Sequence, residues 1–161
     1  MRLNALIALA GLVLTAAPAF AGPGDVDFIR KAVAGNEAEV QMGSILQTRG
    51  HSDALKRFGS VLVSDHTLAL AQARSAAHAM GVRVSSHTSA EAAQQMKQLW
   101  AATDSLFDSE ARRIAIEDHQ KDIALYEAEA SKGSGPAADY ARQTLPVLQR
   151  HLQMAEALPG L

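Results

Sequence analysis

Three histidines and a few carboxylates interrupt segments that are otherwise apolar at helical spacing. Asp65-His66 and Asp118-His119 are adjacent acid and imidazole pairs, while Glu39 and His151 stand among Ala, Leu, Met and Val. Neutral imidazoles and carboxylates ligate divalent transition metals such as zinc or iron, and a further carboxylate can hold a ligating histidine by its second ring nitrogen. Glu39, His66, His119, Glu127 and His151 are therefore candidate ligands for one such ion, with Asp65 and Asp118 as outer acceptors. Neighbouring residues on a helix project about 100° apart, so Asp65 is better placed to partner a histidine of another helix. The same residues fit a second explanation, a metal-free buried network in which each imidazole bonds a carboxylate, water or carbonyl. A hydrolase lacks a placed nucleophile, because Ser64 stands in mid-helix beside its supposed partner. His51, His78 and His87 fall in a turn, on a polar face and in a connector, where they face solvent.

Four long segments must position these groups. Apolar periodicity and turn chemistry predict helices over about 25–49, 52–80, 104–131 and 136–158, with Ser52 and Pro136 opening two of them and Gly50 and Gly81 closing two. A shorter helix over about 89–101 opens at a Thr88/Glu91 capping box. Short turns near 50 and 134 join antiparallel neighbours, and the long middle connection can cross the molecule. That is an all-α, ferritin-like four-helix bundle: hairpin, long crossover with a short helix, hairpin. In the first helix Phe28, Ala32, Gly35, Glu39, Met42 and Leu46 share a face, in the second Leu55, Phe58, Leu62, His66, Ala69 and Ala73, and His119 and His151 lie on comparable faces. His119 is 14 residues before Gly133 and His151 is 15 after Pro136, so both lie at similar depth. Across the other hairpin, Glu39 and His66 are mismatched by about 7 Å at the helical rise. Glu127 lies beyond His119 on the third helix. Pro146 is expected to kink the last helix, and Tyr126 and Tyr140 are expected at the packing rim.

Residues 1–21 differ from the rest: Arg2, an apolar run from Ala5 to Leu14, then Pro18-Ala19-Phe20-Ala21. The run is too short to span a membrane, and the small residues suit signal-peptidase cleavage after Ala21. The expectation is a signal peptide over 1–21, secretion across the inner membrane and residence in the periplasm, with 22–161 as a single domain. Without the first 21 residues the chain keeps 140, with 14 basic and 17 acidic. No basic stripe supports nucleic-acid binding, and no membrane-spanning helix is expected in the mature chain. The absence of cysteine excludes disulfides and lipid anchoring through cysteine, leaving an envelope protein as a conceivable partner.

The ordered segments Phe28 to Gly43, Phe58 to His66, Asp118 to Glu127 and Thr144 to Leu152 resemble the secreted bacterial family catalogued as domain of unknown function 4142. The resemblance implies a ferritin-like bundle in the envelope and supplies no activity. Its motif positions fall on Glu39, Asp65, His66, Asp118, His119, Pro146 and His151. Ferritin-type di-iron sites use Glu-x-x-His, but Val63, Ile116 and Leu148 stand three residues before the histidines, so a single histidine-rich site is the expectation. The competing expectation is a non-enzymatic structural or stress-related envelope protein holding a metal-free network.

Overall fold

The computed structural model describes residues 22–86 and 88–159; the expected signal peptide and His87 lie outside them. Helix α1 spans Pro23–Arg49, α2 Asp53–Ala79, α3 Ala90–Ala101, α4 Asp104–Ala130 and α5 Pro136–Glu156. The four long helices are those expected from periodicity, shifted by at most two residues at their ends. Ser52 caps α2 by accepting from the Leu55 N–H at 3.2 Å. The short helix begins one residue later than expected: Ser89, rather than Thr88, caps it through the Ala92 N–H, and Glu91 is drawn away to Lys121. Helix α5 continues through Pro146.

Two hairpins, α1–α2 and α4–α5, make up the bundle, and α2 packs on α5. Asp108 accepts from the His51 and Ser52 N–H groups, each at 2.9 Å, so α4 starts beside the start of α2. At the opposite end Lys132, just beyond α4, meets Asp25 at the start of α1. Helices α2 and α4 therefore run the same way, and the 80–103 crossover carries the chain between ends. Arg49 secures its arrival by donating to the carbonyls of Leu99, Trp100 and Ala102.

Helices α1 and α2 approach closely at a glycine pair. A Cβ on Gly43 would stand 2.6 Å from the Gly59 carbonyl oxygen, and one on Gly59 would stand 2.6 Å from that of Gly43. Neither backbone can yield without separating the helices. Gly59→Ala is therefore expected to destabilise the chain by about 1–3 kcal/mol, despite alanine's better helix propensity. Urea unfolding would show the loss as a lower midpoint; an unchanged or raised midpoint would contradict the close contact.

The core has two apolar compartments. One gathers Phe28, Ile29, Val33, Ala77, Tyr126 and Tyr140, and the other Met42, Leu46, Phe58, Leu62, Phe107 and Ile114. Along every long helix a buried polar residue falls between the two: Asn36 and Glu39 on α1, His66 on α2, His119 on α4 and His151 on α5. A polar layer thus crosses the bundle between two apolar plugs. Among the described residues no helix is long and apolar enough to cross a membrane.

Candidate metal centre

The three histidines meet in that layer. His66, His119 and His151 are 2%, 1% and 0% exposed. Their ring centroids are separated by 5.8 Å (66 to 119), 5.1 Å (66 to 151) and 5.4 Å (119 to 151). Phe58 packs against the rings of His119 and His151.

Each imidazole uses one nitrogen on the protein. The Nδ1 of His66 lies 2.9 Å from Asn36 Oδ1, the Nδ1 of His119 is 2.8 Å from the Ala115 carbonyl oxygen, and the Nε2 of His151 is 2.9 Å from Asp65 Oδ2. All three partners are acceptors, so in each ring that nitrogen carries the hydrogen and the other carries a lone pair. The remaining nitrogens, Nε2 of His66, Nε2 of His119 and Nδ1 of His151, are buried without a hydrogen-bond partner among the described residues. One nitrogen from each residue lies within 4.8 Å of the other two. An orphaned buried acceptor costs about 1–3 kcal/mol. Three lone pairs brought together in a buried layer could hold a cation.

The electrostatics keep the rings neutral, as metal ligation requires. Burial holds His66 well below the usual imidazole range, with the charges of His119 and His151 adding to it. Burial also lowers His119 against the pull of the Ala115 carbonyl, and takes His151 to about 4 although Asp65 favours its protonated form. Asp65 also accepts from Arg150 at 2.7 Å, which fixes the carboxylate.

The carboxylates expected from the sequence are distributed differently. Glu39 is buried in the polar layer, but among the described residues no carboxylate joins the three nitrogens within their mutual spacing. Glu127 is exposed and is not brought to the cluster. It lies eight residues beyond His119, a step that leaves it about 80° off the histidine's face. Asp118 accepts from Gln95 Nε2 at 2.5 Å and holds α3, whereas Asp65 reaches the histidine of another helix. His51 is half exposed and faces Asp108, and His78 is exposed.

Two participants escaped the sequence reading. Asn36 donates to the Ala32 carbonyl at 2.6 Å and to the Tyr140 hydroxyl at 2.9 Å while its carbonyl oxygen faces His66. Tyr140 in turn meets the Tyr126 hydroxyl at 3.1 Å, so both tyrosines are buried members of the layer rather than rim residues. Asp122, three residues after His119, is pushed up to about 7 by burial and by the charge of Glu39. Both had a signal: Asn36 is four residues from Ala32, and Asp122 is four from Tyr126, on faces otherwise read as apolar.

A family model described as Domain of unknown function (DUF4142) matches residues 13–158. Among curated proteins none matches the chain. Among solved structures, "Crystal structure of DUF305 fragment from Deinococcus radiodurans" is similar with a TM-score of 0.75 at 14% identity, covering 86% of this chain and 96% of that one. That likeness shows a shared fold.

Proposed function

The chain belongs to the DUF4142 family, and from that premise we propose that it is an exported, ferritin-like bundle that holds one divalent transition metal on His66, His119 and His151. The observation that carries the proposal is the three unpartnered ring nitrogens in the polar layer. A metal-free network would have to pair each of those nitrogens with water, because the described residues offer none of them a donor. Three neutral imidazoles with a fourth position left over suit zinc. Iron(II) sites of the two-histidine type add a carboxylate, and none among the described residues joins this set, so zinc is preferred over iron. Donors this deeply buried favour holding an ion over turning over a substrate. Export to the periplasm rests on the signal-like character of residues 1–21.

Elemental analysis of untagged protein purified from its native envelope tests this reading. About one zinc per chain is expected, and iron in its place would change the ion but not the site. Negligible metal, unchanged after incubation with either ion, would sink it.

Asn36 is a positioning residue under this reading, because it fixes which nitrogen of His66 carries the hydrogen. Asn36→Ala is expected to weaken zinc binding by about 10–100-fold, the usual effect of losing an outer partner of a ligating histidine. Chelator competition would measure it, and an affinity equal to that of the native chain would show that Asn36 serves only the tyrosines.

A further inference from the structure

The histidine site is closed at both ends by the apolar compartments and on three flanks by the α1–α2, α2–α5 and α4–α5 contacts. The fourth flank is different. Helices α1 and α4 touch sparingly there, and α3 lies against them. Between the three opens a cleft of about 530 Å³. Glu39, Asp118 and Asp122 line it, and Glu39 is 5% exposed with a buried Oε2 that has no hydrogen-bond partner. Other charges on the cleft wall are paired: Lys31 with Asp27 at 2.8 Å and Lys121 with Glu91 at 2.5 Å. Three carboxyl groups and Arg30 therefore remain on the wall without an ion pair among the described residues, and a cation that displaces the carboxyl protons would gain their oxygens as ligands.

We propose that this cleft is a loading port, in which Glu39, Asp118 and Asp122 take a hydrated divalent cation from solvent and pass it through the polar layer to the three histidines. Carboxylate oxygens accept ions that still carry water, whereas the imidazole site requires the ion to shed it. Glu39 belongs to both regions, since it lines the cleft and lies in the buried layer with the histidines. Asp118 and Asp122 flank His119 on α4, one before and three after. The exchange moves one ion from oxygen to nitrogen ligands without redox change, and its waters return to solvent. The port rests on the histidine reading, and it concerns the rate of filling rather than the affinity of the filled site.

Cobalt(II) added to metal-free mature chain makes a suitable probe, because its visible bands report nitrogen ligation as it forms. The Glu39→Gln/Asp122→Asn variant is isosteric and keeps hydrogen-bonding groups in place; circular dichroism would verify its fold. Stopped-flow mixing at low ionic strength and above about pH 8, where both acids are ionised, should show uptake slowed about tenfold or more, the low end of electrostatic focusing of an ion. The final spectrum and the affinity should match those of the native chain. Equal rates in variant and native protein would overturn the port while leaving the histidine site standing. Loss of the final spectrum in the variant would instead make these acids ligands of the filled site and also overturn the port. Absence of bands in the native chain itself would remove the histidine reading, and the port with it.

Discussion

His66→Ala/His151→Ala is expected to melt at the same temperature with and without zinc, whereas the native chain should melt more than about 10 °C higher when zinc is saturating. The size follows from linkage. An ion that binds only the folded chain, present at about a thousand times its dissociation constant, stabilises it by about 4 kcal/mol, and for a domain of this length each kcal/mol moves the midpoint by several degrees. Truncating two of three ligands leaves His119 alone, which cannot hold the ion in competition with water. The metal-free proteins make the second half of the comparison. Alanine removes two orphaned nitrogens but opens cavities beside Phe58, so the variant without zinc should be no more stable than the metal-free native chain. A zinc-induced rise of equal size in both proteins would place the ion elsewhere.

The second large effect is in the pH dependence of the metal-free chain. Burial, helped by the charge of Asp118, pushes Glu39 up to about 8 from an ordinary value of 4.5. Between those values the folded chain holds a proton that the unfolded chain has lost, so this group's contribution is fully present below about 4.5 and is lost as the pH rises through about 8. Asp122, raised to about 7, acts in the same direction. The histidines oppose them: His151 is lowered from 6.5 to about 4, so the unfolded chain takes up protons first and stability falls as the pH drops through that interval. Below 6.5 the two trends offset each other, and above it the fall due to the acids remains. Urea unfolding in chelator should therefore show native stability declining from about pH 6.5 to 8, with Glu39→Gln flattening the decline. One pKa unit corresponds to about 1.4 kcal/mol, which caps the variant's gain at pH 8 near 5 kcal/mol before relaxation of the surroundings. Parallel curves for the two proteins would mean that Glu39 is ionised in the folded chain.

These tests separate the roles within one layer. Zinc-dependent melting addresses the histidines, cobalt uptake rates address Glu39 and Asp122 in the cleft, and chelator competition addresses Asn36. Proton linkage at Glu39 is independent of all three, because it is measured without metal.

Helix bounds and the common depth of the histidines were legible in the sequence because both depend on local rules. Apolar residues recur every three or four positions, Ser52 and Gly81 mark ends, and the helical rise converts the spacing from Pro136 or Gly133 into depth. Even Asp65's partnership with another helix followed from the 100° between neighbours. The division of labour within the polar layer was decided by tertiary structure alone. Sequence could not choose between Glu39 and Glu127 as companions of the histidines, since a carboxylate's place depends on which helices flank it and how they are rotated. Asn36 and Asp122 stand as polar positions on apolar faces, but only the bundle sets them against His66 and the α1–α3–α4 cleft. Nor could sequence assign which nitrogen of each ring meets the protein and which is left to meet the other two histidines. That assignment comes from the positions of Asn36, the Ala115 carbonyl and Asp65, two of which reach their imidazole across a helix interface.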